Sequence, residues 1–302
     1  MRHPEAFVRN VVSVYGEQAG RSWLAALPAL LADIAARWEL SLGGAYGLSF
    51  NYVARAVRAD GTPAVLKLTH PSGDLRFEVA ALRHFGGGGA VRLLAADVEA
   101  GAVLLERAEP GELLTAVQAR DDDAATRIAA EVGSRLHRPT DGLADAPQRT
   151  VDDWARAAFG WLRGRYGGGT GPFPAGLMDR AEAEHAELVA SSAPPVMLHG
   201  DLHHGNIRTS DRGWLAIDPH GVLGEPAYEA GPLLRNPIGL GSRPDLSAVL
   251  ARRVPILAEA YGVDADRIRG WGRAHSAVSV IWSHEDGGYV DTDTLAVLAA
   301  LS

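Results

Sequence analysis

The 302-residue chain contains no cysteine. Disulfides, thiolate metal sites and a cysteine nucleophile are thereby excluded. Nor does any apolar run approach the ~18–20 residues needed to cross a bilayer. The short apolar stretches near the N-terminus are broken by Arg9 and Glu17, so the segment does not read as a signal peptide. A soluble, cytoplasmic protein without a membrane partner is expected. Lys and Arg are scattered singly in a chain of net charge −8. A nucleic-acid binder usually shows a basic stripe, so no nucleic-acid partner is expected either. Internal repeats are missing. The glycine runs Gly86–Gly89 and Gly167–Gly169 lack the capped helix that follows a phosphate loop and read as flexible loops.

What is present is ordinary globular material. Hydrophobic residues make up 47% and charged residues 22%, which separates the chain from disordered sequences. Its length suggests two domains or lobes of roughly 100–200 residues each. Residues 21–38 predict one or two helices, with Ser22 as a cap and Pro28 restarting the second. Glycine-bearing SLGGAYGLSF follows, then NYVARAV and AVLKL as strands joined by a tight turn at Asp60-Gly61. DLRFEVAALRHF predicts a helix, because Leu75, Val79 and Leu82 fall at i, i+4, i+7 on one face. AVRLLAAD and AGAVLLE close this part as two more strands. Five short strands and one inserted helix predict a small lobe over residues 1–106. Pro110-Gly111 suits a connector. Residues 107–302 then read as mainly helical, interrupted by short strands in PVML, NIR and GWLAID with a turn over Ser210–Gly213.

That interruption, VMLHGDLHHGNIRTSDRGWLAIDPHG, carries the chemistry. One reading is a zinc site built on His199, His203 and His204 with Asp201, since His199 and His203 have the i, i+4 spacing of helical zinc ligands. Gly200 and Gly205 argue instead for a tight loop between strands. The second reading is phosphoryl transfer, whose catalytic loop has the form H-x-D-L-x-x-x-N. HGDLHHGN supplies His199, Asp201, Leu202 and Asn206 in that register, and WLAIDPHG supplies Asp218 at a nearby strand end as a second magnesium ligand. The same mechanism needs a strand lysine on the nucleotide phosphates, steadied by a helix glutamate. Lys67 in PAVLKL and Glu78 in RFEVAAL stand in the required order ahead of the connector. Together the five residues favour the kinase over the metal hydrolase.

VMLHGDLHHGN and LAIDPHGVLGEPAYEAGPLLRNP resemble the aminoglycoside phosphotransferase family, a branch of the protein-kinase-like fold. Within it they are similar to the streptomycin 6-phosphotransferases and the aminoglycoside/hydroxyurea resistance kinases. DGTPAVLKL, AVRLLAAD, VLLERAEPG and VIWSHEDG extend the resemblance from about Trp38 to Asp286. It implies an α+β, bilobal fold: a small N-terminal lobe with a five-stranded antiparallel sheet, and a larger, mainly helical C-terminal lobe. It implies an ATP- and Mg2+-dependent phosphotransferase with an alcohol acceptor, most simply the 6-hydroxyl of streptomycin. Another metabolite or hydroxyurea is the alternative, and a non-catalytic nucleotide-binding protein a remoter one.

Carried over by residue, Asp201 orients or deprotonates the hydroxyl, Asn206 and Asp218 ligate Mg2+, and Lys67, paired with Glu78, meets the α- and β-phosphates. The backbone around Glu106–Ala108 holds the adenine edge. Gly47 and Ser49 cover the phosphates, unless GLSFN is a plain strand turn. Gly200 stands where protein kinases carry Arg. Only seven residues separate Asp218 from Pro226, too few for a regulated activation segment. His220 departs from the Lys of related streptomycin kinases. A cationic substrate calls for carboxylates; Glu229, Glu285 and Asp286 are the candidates, with His203 and Trp282 as further substrate contacts. Trp282 alternatively packs inward, and Glu285 and Asp286 alternatively solvate a helix end.

Overall fold

The computed structural model describes residues 3–71, 74–140, 143 and 146–302. Two helices open the chain, α1 (Glu5–Tyr15) and α2 (Glu17–Arg37). Gly16 between them has φ 82°, a left-handed conformation that glycine adopts at little cost. The expected break at Pro28 is not there: α2 runs straight through it. Burial of Leu24, Leu27, Leu31 and Ile34 along one face outweighs the ~3 kcal/mol that an interior proline costs a helix. The expected cap, Ser22, lies inside the helix.

The sheet follows as β1 (Leu40–Ala45), β2 (Tyr52–Arg58), β3 (Pro63–Leu68), helix α3 (Leu75–Phe85), then β4 (Leu93–Asp97) and β5 (Ala102–Glu106). All five strands pair antiparallel in the order β1-β2-β3-β5-β4. Successive side chains of a strand point to opposite faces, and β3 shows what that achieves. Ala64, Leu66 and Leu68 join a core with Leu27, Leu31 and Ile34 of α2. The alternate residues Val65 and Lys67 are left for the other face. There, Leu75, Val79 and Leu82 of α3 pack with Val103 and Leu105, the helical face expected from sequence.

Beyond β5 come β6 (Pro110–Leu113), α4 (Thr115–Gln118), α5 (Asp122–Leu136), α6 (Val151–Arg165) and α7 (Ala175–Ala190). Thr150 and Asp153 form a reciprocal capping box at the start of α6, which satisfies two otherwise orphaned N–H groups. Short strands β7 (Val196–Leu198), β8 (Ile207–Ser210), β9 (Gly213–Ala216) and β10 (Val222–Gly224) interrupt the helices. They form the pairs β10-β7 and a three-stranded set β6-β8-β9. Helices α8 (Ala230–Arg235), α9 (Leu246–Tyr261), α10 (Ala265–Gly287) and α11 (Thr292–Ala300) complete the chain. Strands β6 and β10 and helix α1 were not expected from sequence.

One core spans the junction of the lobes. Ala81 and Phe85 of α3 pack with Leu198, Leu202 and Ile207 of the helical half. Thus α3 touches the sheet with one face and the catalytic half with another. Among the described residues no helix is long and apolar enough to cross a membrane.

Candidate active site

Lys67 lies on the inner face of β3, opposite Val53 of β2 and Val103 of β5. Its side chain is 7% exposed, a position an ammonium tolerates only when paired. Two carboxylates meet it. Nζ donates to Glu78 Oε2 at 2.7 Å and also to Asp218 Oδ1, 151 residues away. Burial works against the charged lysine, but the charges of Asp218 and Glu78 outweigh it and raise its pKa. Burial raises the pKa of Glu78, whereas the Lys67 charge holds Asp218 low. Asp218 is half exposed and has φ 62°; that uncommon left-handed conformation for a non-glycine residue sits at the functional turn after β9.

The loop from His199 to Asn206 follows β7. Glu229 fixes its entry, accepting the N–H of His199 at 3.2 Å and of Gly200 at 2.8 Å. His199 Nδ1 accepts the Asp201 N–H, so its Nε2 carries the proton and donates to Ile217 O at 2.8 Å. This histidine thereby ties Asp201 to Ile217, the residue before Asp218. Asn206 Nδ2 donates to Asp201 O at 3.0 Å, which leaves its amide oxygen available. The Asp201 carboxylate receives Arg235 Nη2 at 3.1 Å and faces His203 Nε2 at 3.6 Å. His203 Nδ1 accepts the Gly205 N–H, which leaves the proton on Nε2, toward Asp201. Burial alone would raise the pKa of Asp201; His203 and Arg235 hold it well below the usual carboxylate range.

The zinc arrangement does not form. Both ring nitrogens of His199 are engaged, His203 is bonded within its own turn, and His204 is buried. Burial pushes His199 down to about 4 and His204 to about 3. Among the described residues no group of three or more His, Cys, Asp or Glu side chains is arranged for a metal ion. Hard oxygen donors are a different matter. Asn206 Oδ1 and the outer oxygen of Asp218 are the ligand type that Mg2+ takes alongside phosphates and water.

Lys67, Glu78 and Asp218 line a cleft of ≈ 680 Å3. Val53 and Val65 line it from the sheet, Ile217 from the other lobe, and the segment Glu106–Gly111 closes it behind. Gly47 and Ser49 are at its wall, as is Ala108. The side chain of Glu106 is taken up by Arg212, at 3.1 and 2.5 Å, and by the Arg92 N–H, and its own backbone N–H donates to Arg92 O at 2.9 Å. The cleft thus pairs apolar side chains, Val53, Val65, Val91, Leu105 and Ile217, with charged ones, Lys67, Glu78 and Asp218 among them, a mix that suits a planar base and its phosphates.

The substrate-contact expectations divide. Glu229 is corrected: it is fully buried and bound to two backbone N–H groups, so no substrate can reach it. Burial pushes it up to about 7. Trp282 is partly buried edge-on against Trp154, 5.3 Å between ring centroids. Trp154 in turn lies where a Cβ on Gly200 would sit, 2.8 Å away, so Trp282 is one ring removed from the catalytic loop. Glu285 and Asp286 are exposed at the end of α10, where the Asp286 carbonyl accepts Ser13 Oγ of α1. His203 stands beside Asp201.

Sequence reading passed over three groups: Arg235 on Asp201, Glu229 as the loop's anchor, and Arg149, described below. It also passed over a signal for Lys67, the only lysine in the chain. Among the 29 Lys and Arg residues it alone is lysine, and a lysine in a strand interior marks a need for a compact, buriable point charge.

Residues 37–287 match the family model described as aminoglycoside/hydroxyurea antibiotic resistance kinase. The chain belongs to that family. It is 34% identical over 292 residues to the streptomycin 6-kinase of Streptomyces glaucescens, covering 94% of this chain and 91% of that one. It is 34% identical over 278 residues to the hydroxyurea phosphotransferase of Kitasatospora aureofaciens, covering 90% and 78%. Among solved structures, the ethanolamine kinase of Plasmodium vivax aligns with TM-score 0.63 at 14% identity, over 87% of this chain and 81% of that one. An amicoumacin kinase bound to AMP-PNP, Ca2+ and amicoumacin aligns with TM-score 0.60 at 15% identity, over 91% of each. The structures share the fold, protein-kinase-like and bilobal; the sequence relatives make this family member a phosphotransferase acting on a hydroxyl group.

Proposed function

We propose that the protein is an ATP- and Mg2+-dependent kinase that transfers the γ-phosphoryl group to a hydroxyl of an aminoglycoside, the 6-hydroxyl of streptomycin. The observation that carries this reading is the meeting of Lys67, Glu78 and Asp218 in one cleft, with Asp201 and Asn206 on the loop that His199 bonds to Ile217, the residue before Asp218. Residues 1–106 would supply the phosphate grip and residues 107–302 the metal ligands and the acceptor site.

Nucleotide binding would exchange the Lys67–Asp218 contact for two others: Lys67 to the α- and β-phosphates, Asp218 to the metal. Glu78 stays on Lys67 and fixes its reach. Asn206 and Asp218 would hold Mg2+, which supplies charge neutralisation between phosphates. Asp201, held ionised by Arg235 and His203, accepts the acceptor's O–H and aims its oxygen. Phosphoryl transfer passes through a loose transition state in which positioning and charge matter more than early deprotonation, so a weakly basic aspartate suffices. Gly47, Ser49 and the Glu106–Ala108 backbone would close around the nucleotide, and His203, Trp282, Glu285 and Asp286 would face the cationic acceptor from the catalytic side.

The test is mass spectrometry of streptomycin incubated with the protein, ATP and Mg2+. One added phosphoryl group, absent with Asp201→Asn, is expected. Unmodified streptomycin with phosphorylated hydroxyurea, or with another metabolite phosphorylated on a hydroxyl, would replace the proposed acceptor; the 34% identity to a hydroxyurea phosphotransferase makes hydroxyurea the first comparison.

A further inference from the structure

Arg149 lies outside the catalytic set, yet it touches the supports of both Glu78 and Asp218. It precedes α6, and its backbone is pinned by Leu223 N–H donating to Arg149 O at 2.8 Å. Its guanidinium reaches into the space between the lobes. Nη2 donates to His220 O at 2.6 Å and Nε to Gly221 O at 3.3 Å, two carbonyls just past Asp218. Nη1 donates to Asp74 Oδ1 at 3.0 Å, immediately before α3. The guanidinium carbon lies over the Phe77 ring at 4.3 Å and over the Trp154 ring at 5.0 Å. Phe77 is the neighbour of Glu78. The side chain is only 16% exposed.

We propose that Arg149 is a positioning residue that locks helix α3 to the loop after Asp218, so that Glu78 and Asp218 meet Lys67 in one fixed geometry. A second contact shows how close that junction is. Gly221 has φ 68°, and a Cβ there would lie 2.3 Å from the Phe77 carbonyl oxygen; α3 rests directly on the loop backbone. The Asp218-to-Pro226 segment is too short to fold over α3 and hold it from outside. A single arginine from the catalytic lobe does so from beneath. Arginine is required because its planar fork can serve two carbonyls and a carboxylate while lying over two aromatic rings, a combination that a compact ammonium cannot match.

The role rests on the reading of Asn206 and Asp218 as metal ligands and of Lys67 as the phosphate contact, and its test needs no acceptor. Two readouts serve. In the metal-free, nucleotide-free protein, acylation of Lys67 by an amine-reactive ester, followed by peptide mapping, reports whether Glu78 still covers it. The ratio of ATP affinity with and without Mg2+ reports the metal site. In folded Arg149→Ala, Lys67 is expected to acylate faster, and the Mg2+ enhancement to fall about tenfold, the scale of losing a group that supports a metal ligand. Arg149→Lys, which keeps the charge without the fork, is expected to lose most of the same enhancement, and it decides the matter if the alanine variant does not fold. Unchanged acylation and unchanged Mg2+ enhancement in either folded variant overturn the positioning role while leaving the kinase reading intact. A wild-type protein whose ATP affinity ignores Mg2+ overturns both.

Discussion

Glu229 holds Gly200 by its backbone N–H at 2.8 Å across 29 residues of sequence, from a position with no solvent exposure. The carboxylate spends its second oxygen on the His199 N–H, so the turn that presents Asp201 hangs on one buried acid. Glu229→Ala orphans two buried donors at about 1–3 kcal/mol each, and a loss near 3 kcal/mol in unfolding free energy is expected, with kcat falling alongside. Glu229→Gln keeps one acceptor oxygen and turns an NH2 toward the other N–H, so it is expected to be nearly as damaging. Chemical denaturation of both variants checks this; midpoints equal to wild type would refute the anchoring role.

Lys67 gives a test that few proteins allow. Because no other lysine exists in the chain, amine-directed chemistry has one side-chain target. Lys67→Ala is expected to lower kcat/KM by roughly 10²–10³, the usual cost of removing one preorganised charge from a transition state. Lys67→Arg is expected to fare little better, because the longer planar fork does not fit a space shared with Glu78 and Asp218. ATP with Mg2+ is expected to protect Lys67 from modification, read by mass mapping. Full modification in the presence of saturating nucleotide would place Lys67 outside the phosphate site.

Alternation in PAVLKL and the helical spacing of Leu75, Val79 and Leu82 were readable because a strand or a helix face is a local pattern. So was the HGDLHHGN register, since Asp201 and Asn206 act from one loop. The groups that sequence reading missed act through distant contacts. Arg149 meets Asp74 across 75 residues and His220 across 71, and Arg235 meets Asp201 across 34; no spacing rule reaches that far. Glu229 was misread for a related reason. A carboxylate after GEPAY has the same letter whether it faces a cation or two backbone donors, and only burial separates the cases. Pro28 failed in the opposite direction: a strong local signal lost to tertiary packing along α2.

Two glycines separate backbone strain from collision. Gly213 has φ 87° with nothing within 4 Å of a built Cβ, whereas Gly221 combines φ 68° with the 2.3 Å approach to Phe77 O. Gly213→Ala is expected to cost about 1 kcal/mol, the penalty of a side chain at positive φ. Gly221→Ala is expected to cost more than that and also to push α3 off the loop, raising KM for ATP while Gly213→Ala leaves it unchanged. Thermal melts give the first comparison and steady-state kinetics the second. Equal effects at the two sites would mean that α3 yields without consequence.

Acid sensitivity follows from buried groups of opposite sign. His199 is pushed down to about 4, His204 and His275 to about 3, all by burial. Such histidines stay neutral in the folded protein while the unfolded chain protonates near its ordinary 6.5, so their contribution is present above that pH and is lost as pH falls toward the folded values. Glu229, raised to about 7 from an ordinary 4.5, runs the other way: its contribution is present below 4.5 and disappears as pH rises to 7. Between about pH 4.5 and 6.5 the unfolded state therefore takes up three protons on these histidines, while the folded state keeps one on Glu229. From these four groups stability is expected to fall by about 3 kcal/mol per unit of acidification, two protons' worth. Glu229→Gln removes the opposing proton, so its slope should steepen to about 4 kcal/mol per unit even though the variant starts from a lower stability. Denaturant midpoints measured from pH 7 to pH 5 decide it: a Glu229→Gln slope no steeper than that of the wild type would mean that Glu229 does not keep its proton in the core.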